Sequence, residues 1–355
     1  MTDQALVKPD YRTPGSRLVL PANAPRERWL EERTKGLGGS DASTVLGLNK
    51  WASRWGLYLE KTGQSKDDRP QNEAMYWGSA MEPILRRRFV EDTGIVVRSA
   101  GLHRSKEFPW MQVTVDGLSA DGGIFESKTA SSWAAGDDWD DDGIPDHAAL
   151  QVQHGLAVTG RSHAWIVGLL DGRDWQIRGP IPRNEEIIAL LIEEERAFWH
   201  DHVLARVEPA VTHQSLDEVK SHYNDSDPDR IAYISEPELR AYEARIAGYK
   251  ALVKTNDEAA KAVEAELRAR IEGAELVLPY PGADPKKEAL ATLTHTATFS
   301  SRRFKEDEPE LAEKYVTTKE VLDTETLKVA EPELYAKYRS RVLRFKAAPK
   351  TKTTK

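Results

Sequence analysis

All ten tryptophans lie before residue 200, from Trp29 to Trp199, and 20 of the 23 glycines lie there too. The remaining 155 residues hold no tryptophan and only Gly248, Gly273 and Gly282. Two stretches built so differently read as two regions, not one uniform domain. A length of 355 residues agrees with that, at roughly 100–200 residues per domain. The first 200 residues are enough to bury a core of their own.

The chain contains no cysteine. Disulfides, thiolate zinc sites, iron–sulfur clusters and a cysteine nucleophile are therefore excluded. No apolar run approaches the roughly 18 residues of a membrane span. Met1 to Leu20 lacks the apolar stretch of a signal peptide, so a cytoplasmic protein with no membrane partner is expected. The net charge of −8 is spread over both regions. Bulk charge thus gives no hint of nucleic-acid binding, although a local basic track or carboxylate-held cations could still supply it.

The pattern predicts an extended arm over 1–25, a mixed α/β domain over 26–205, a linker over 206–235, an accessory region over 236–346, and a disordered basic tail over 347–355. In the first domain, helices are expected over 26–35, 42–46, 55–61, 73–93, 148–158 and 185–203. Pro83 is expected to kink the fourth of them or restart it. Gly36 to Asp41 reads as a tight turn, with Ser40 or Asp41 capping the helix after it. Segments 95–97, 110–115 and 123–128 read as strands of one small sheet, with 164–170 and 175–178 as a further pair. An acidic stretch at 136–146 reads as a solvated loop, and the flanking Trp133 and Trp139 read as core packing in preference to contacts with DNA ends. In the accessory region, Leu239, Tyr242, Ile246 and Tyr249 repeat at helical spacing, and Thr255-Asn256-Asp257 is expected to break that helix into a hairpin. Three short strands at 276–278, 291–297 and 342–345 complete it. Glu308 to Tyr315 recurs as Glu331 to Tyr338, which reads as two short helices on a small sheet. Arg302, Arg303, Lys305, Arg339, Arg341, Arg344 and Lys346 either form a DNA-contacting strip or balance neighbouring glutamates.

The chemistry concentrates at Asp116-Gly117-Leu118 and Glu126-Ser127-Lys128. Side chains alternate along a strand, so Glu126 and Lys128 share a face, and a hairpin through Gly122-Gly123 would bring Asp116 near Glu126. Two carboxylates and a lysine suit phosphodiester hydrolysis. The carboxylates hold hard cations, and the lysine orients water or handles its proton. By itself the string is ordinarily explained as a cross-strand salt bridge on a solvated face. Glu82, taken alone, is a surface charge. Gln151, Gln153 and His154 would ordinarily form an amphipathic face, and His200 and His202 fit no ligand spacing. The glycine turn lacks the Gly-Lys-Ser/Thr of a nucleotide loop, yet a glycine turn feeding a helix can receive a phosphate.

The series as a whole adds specificity. Arg33, Gly36-Leu-Gly-Gly-Ser40, Trp77-Gly78 with Glu82-Pro83, Asp116-Gly-Leu118, Glu126-Ser-Lys128 and Gln151 to Gly160 resemble, in order and spacing, the YqaJ-type viral recombinase nucleases. This is the family of the phage lambda-type exonuclease, within the PD-(D/E)xK superfamily. The resemblance covers about residues 26–203. It implies a restriction-endonuclease-like α/β core, a small mixed sheet flanked by helices, followed by a helical and small-β accessory region. It also implies roles. Asp116, Glu126 and the Ser127 carbonyl would hold Mg²⁺, or Mn²⁺ in its place, and Glu82 would reach the metal directly or through water. Lys128 would be the catalytic lysine and Gln151 its support. Arg33, Ser40 and Thr114 would receive a 5′-terminal phosphate. The implied function is exonuclease action, 5′→3′ on linear double-stranded DNA, leaving 3′ single strands for recombination. Duplex ends, further copies of the chain and a single-strand annealing protein are the implied partners. A restriction or repair endonuclease and a non-catalytic DNA-binding assembly protein are the competing readings. Two positions depart from the family pattern: Ala148 where an aromatic residue is common, and Ser127 where an apolar one is.

Overall fold

In the computed structural model, residues 8–65, 73–130, 139, 143–224, 230–292, 306–313 and 322–337 are described. The chain divides into two compact units, Met1–Asp225 and Ser226–Lys355.

The first unit is built on two sheets. The larger has five strands: β2 (Val97–Arg98), β5 (Gly117–Ser119), β6 (Gly123–Ala130), β7 (His163–Leu170) and β8 (Asp174–Pro182), adjacent in that order. All its pairings are antiparallel except β6 with β7, which run parallel and are joined through helix α5 (Asp146–Thr159). The smaller sheet is β1 (Ser16–Leu20), β3 (Leu102–Ser105) and β4 (Gln112–Thr114).

A helix covers each face of the large sheet. On one face lies α4 (Glu73–Thr93), whose Leu85 and Phe89 pack on Phe125 and Val167. On the other lies α5, whose Val152 and Leu156 pack on Ile124, Ala164 and Ile166. Alternation along β6 therefore sends Phe125 and Ser127 towards α4, and Ile124, Glu126 and Lys128 towards α5. A third cluster joins α2 (Gly39–Val45) and α3 (Arg54–Lys61) to the end of α6 (Glu185–Ala197) and the π-helical turn Phe198–Leu204. Its centre is Leu37, Val45, Trp55, Phe198 and Trp199. Helix α1 (Arg26–Arg33) precedes this layer.

Several expectations need correction. Part of the N-terminal arm is strand β1, paired along β3. The buried Arg161 guanidinium pins the residues before it by donating to the carbonyls of Asp10 and Arg12. The expected single sheet is two, because β4 pairs with β3 whereas β6 pairs with β5 and β7. Helix α4 runs through Pro83 without interruption. Helix α2 begins at Gly39, and Asp41 serves it from inside, taking the Gly38 amide at 2.8 Å. Residues 206–224, expected as linker, pack on the first unit and include α7 (Leu216–His222). There Trp55 donates to Glu208 at 3.0 Å, and the Ser53 amide donates to Glu218 at 3.2 Å. Trp139, by contrast, is a core residue as expected. The acidic residues of 136–142, Trp133, the strand at 342–345 and the seven basic residues of the proposed strip lie outside the described residues.

In the second unit, α8 (Glu236–Ile271) is one continuous 36-residue helix, not a hairpin. Strands β9 (Leu276–Val277) and β10 (Ala291–Thr292) pair antiparallel. The repeated segments are short helices, α9 (Pro309–Glu313) and α11 (Pro332–Lys337), with α10 (Thr324–Ala330) before the latter. Among the described residues, no helix is long and apolar enough to cross a membrane.

Candidate active site

The β5–β6 hairpin pairs Gly117 with Phe125, which leaves Asp116, just before β5, beside the middle of β6. One oxygen of Asp116, Oδ2, accepts both the backbone amide and the hydroxyl of Ser127, each at 2.7 Å. The serine that departs from the family pattern thus holds the aspartate in place. Arg86, on α4, donates to the Asp116 carbonyl at 3.3 Å and to Ser99 at 2.6 Å.

On the α5 side, Glu126, Lys128 and Gln151 close a triangle. Lys128 Nζ lies 2.8 Å from Glu126 Oε1 and 2.8 Å from Gln151 Oε1, and Gln151 Nε2 donates back to Glu126 Oε1. The Gln151 amide thereby fixes both ends of the Glu-x-Lys pair, so the lysine is braced although Ala148 is small and lies in the core.

The charges are strongly coupled. Burial, followed by repulsion from Asp116, pushes the Glu126 carboxyl up to about 7, against the pull of Lys128. Burial and then Asp116 push Glu82 up to about 7 as well, with Arg86 and Lys128 pulling the other way. Burial works against the Lys128 ammonium, but Glu126, Asp116 and Glu82 together outweigh it and hold the lysine above its ordinary value. The structure therefore brings Glu82, Asp116, Glu126, Lys128 and Gln151 to one place.

Among the described residues, no three His, Asp or Glu side chains form a ready-made cation cage. The fit to a metal rests instead on the donor set: Asp116, Glu126 and the intervening carbonyl of Ser127, all hard oxygens. Mg²⁺ is commonly held by one or two carboxylates and keeps several waters. A cation at the pair would also relieve the repulsion that keeps Glu126 and Glu82 high.

The residues expected to receive a phosphate lie on α1, α2 and β4. Arg33 Nη2 contacts Ser40 Oγ at 3.3 Å and Asp41 Oδ1 at 3.0 Å, and its Nε contacts Glu60 at 3.3 Å. Thr114 joins this group through Trp29, whose indole N–H donates to the threonine hydroxyl at 3.1 Å while its ring lies 5.4 Å from the Arg33 guanidinium. Gly36 and Gly39 make the approach possible. A Cβ at Gly36 would sit 2.6 Å from the Trp110 carbonyl, and one at Gly39 would sit 3.2 Å from the Gln151 carbonyl. The second contact sets the start of α2 directly against the helix that carries Gln151.

Four supporting residues were not singled out in the sequence. Trp29 was available from its i, i+4 spacing to Arg33. Lys61, its side chain fully buried, pairs with Asp41 at 2.8 Å. Glu60 is the half-buried partner of Arg33. Gln112 donates to the carbonyls of Glu32, Arg33 and Gly36 and so ties the turn to β4. Gln153 and His154 are buried, not part of a solvated face: Gln153 bridges Pro182 and Asn184, and His154 bridges Glu195 and the Gln112 carbonyl. His200 is exposed and packs edge-on to Trp110.

Residues 28–162 match the YqaJ-like viral recombinase domain. A relative, the uncharacterized protein YqaJ of Bacillus subtilis (strain 168), is 36% identical over 211 residues, which is 58% of this chain and 66% of that protein. The chain thus spans just under two thirds of that relative's length. Among solved structures, the alkaline exonuclease LHK-Exo from Laribacter hongkongensis aligns at 25% identity and a TM-score of 0.44, covering 51% of this chain and 94% of that one. A phage-related exonuclease from Haemophilus somnus 129PT aligns at 14% identity and a TM-score of 0.36, covering 50% of this chain and 99% of that one.

Proposed function

We propose that the chain, whose residues 28–162 match the YqaJ-like viral recombinase domain, is a metal-dependent DNA exonuclease. It would hydrolyse linear duplex DNA 5′→3′ and leave a 3′ single strand for recombination. The observation that carries this reading is the closed Glu126–Lys128–Gln151 triangle beside the Ser127-held Asp116.

Mg²⁺ is the proposed cofactor, with Mn²⁺ able to substitute. Asp116, Glu126 and the Ser127 carbonyl would hold it, with Glu82 reaching it directly or through water. When bound, such an ion lowers the pKa of water and neutralises charge on the phosphate. The chain's own groups do the rest. Lys128, held above its ordinary pKa by Glu126, Asp116 and Glu82, is placed to orient water or donate to a phosphate oxygen. Glu82, raised to about 7 by burial and Asp116, would lose that elevation to a bound cation, and as a carboxylate it would then be suited to hold the ion or one of its waters. Beside Arg33, Asp41 is locked by Lys61 and the Gly38 amide. Glu60 is therefore the partner that a 5′-phosphate would displace from Arg33.

Duplex ends, further copies of the chain and a single-strand annealing protein are the proposed partners. The test is purified full-length protein with Mg²⁺ on 5′-phosphorylated linear duplex. Progressive loss of one strand is expected, and Lys128→Ala and Asp116→Ala should each abolish it while leaving the fold intact. Intact DNA in the presence of folded wild-type protein would sink the proposal. Cutting of a covalently closed circle would replace it with an endonuclease.

A further inference from the structure

Helix α8 buries none of its 36 residues, yet it carries an apolar stripe. Leu239, Tyr242, Ile246, Tyr249 and Val253 follow one another at alternating steps of three and four residues. After Asn256, the same alternation continues through Ala260, Val263 and Leu267. That is a seam of more than four heptads, the spacing of a coiled coil and narrower than the face of a helix on a globular core. Ile246 is 37% exposed, Tyr249 65%, Val263 67% and Leu267 52%. Spaced ion pairs such as Lys254–Glu258, Asp257–Lys261 and Glu264–Arg268 keep the helix itself intact.

We infer that this seam is the contact surface for α8 of a second copy of the chain, running antiparallel. Charge decides the direction. In a parallel pair, the flanking positions would set Glu238 against the partner's Glu243 and Arg245 against the partner's Lys250, each twice by symmetry. Both are like-charge contacts. In the antiparallel pair with full overlap, Arg245 faces the partner's Glu266 and Lys250 faces the partner's Asp257, each twice. Only Glu243 with the partner's Glu264 is unfavourable.

Side-chain size agrees with that register. Tyr249 meets the partner's Ala260, Ile246 meets the partner's Val263 and Tyr242 meets the partner's Leu267, so no layer sets tyrosine against tyrosine, as a parallel pair would at both Tyr242 and Tyr249. Asn256 falls within one turn of the two-fold axis and faces the partner's Val253 there.

The chain has no cysteine, so introduced thiols report without interference. Full-length Ile246→Cys and Val263→Cys proteins, distinguished by a mass tag, are mixed and mildly oxidised. The antiparallel pair predicts a mixed disulfide dimer as the main product and little cross-linking of either variant alone. The readout does not depend on contacts elsewhere in the chain. A parallel pair would cross-link each variant to itself. A hairpin within one chain would give no mixed dimer, and the double variant would close internally. Either result overturns the inference, as does the absence of any cross-link. As a second readout, Ile246→Glu/Tyr249→Glu changes only exposed positions and should weaken cross-linking of the cysteine pair at least tenfold.

Discussion

Ser127 commits its amide and its hydroxyl to one oxygen of Asp116, and a group that orients a metal-binding carboxylate is typically worth about 10–100-fold in affinity or activity. Ser127→Ala should therefore lower cleavage of linear duplex by about that factor while leaving the thermal midpoint nearly unchanged. An unchanged rate would show that the amide suffices. At the proposed phosphate site, Glu60 competes for Arg33 from a half-buried position that solvent still screens, an interaction worth at most about 1 kcal/mol. Glu60→Gln should tighten binding of 5′-phosphorylated ends up to about fivefold over unphosphorylated ends, measured with cleavage-dead protein. Equal effects on both ends would remove Arg33 from the phosphate role. Asp41 gives a stability test. Burial alone would raise its carboxyl, but Lys61 and Arg33 outweigh this and hold it at about 2, below the ordinary 3.8. A carboxylate with a depressed folded-state pKa stabilises the fold above its unfolded pKa, and that contribution is lost as pH falls through the folded value. The wild type should thus lose roughly 2 kcal/mol relative to Asp41→Asn between about pH 5 and pH 2 in urea titrations. Parallel pH profiles would contradict the assignment. These residues also show what a sequence reveals. Glu126, Lys128 and Gln151 are recognisable because strand alternation and one crossover helix place them together. Lys61–Asp41 and Trp29–Thr114 join positions with no shared period, so only the fold discloses them.

Elements were legible where one periodicity governed them. Helices α1, α3, α4 and α5 lie close to the expected segments, since their apolar positions recur at helical spacing and glycines such as Gly63 and Gly94 end them at positive φ. Sheet membership was not legible, because 110–115 and 123–128 carry the same alternation yet pair with different partners. The expected hairpin in α8 failed for a local reason: Lys254–Glu258 and Asp257–Lys261 span the weak Thr255-Asn256-Asp257 segment. Gln112 shows how β4 supports the α1–α2 turn. Its side chain is fully buried and donates to three carbonyls of that turn. Gln112→Leu keeps the bulk but strands those acceptors, and should cost about 1–3 kcal/mol in urea unfolding. It should also weaken discrimination of phosphorylated ends, because Arg33 is one of the residues whose backbone it holds. A loss of stability with unchanged end preference would make Gln112 structural only.

The tryptophan divide in the sequence has a structural counterpart. Every described buried hydrophobic residue except Ala283 lies at or before Val203, and all three core clusters close within the first unit. The boundary at Asp225 falls later than the composition change because Glu208, Gln214 and Glu218 tie residues 206–222 back onto α3 and the turn before it. Cutting at residue 205 would remove those partners and leave the Trp55 indole N–H without its carboxylate, whereas cutting after Asp225 keeps them. A chain of residues 1–225 should therefore unfold cooperatively, with a urea midpoint close to that of the first unit in the full chain. A 1–205 chain should be less stable by about 1–3 kcal/mol, the cost of stranding buried polar groups. The longer truncation should also keep metal-dependent cleavage of short duplexes, since Glu82, Asp116, Glu126, Lys128 and Gln151 all precede the cut, but it should lose the self-association assigned to α8. A 1–225 protein that is folded but inert would place an essential part of the machinery beyond Asp225.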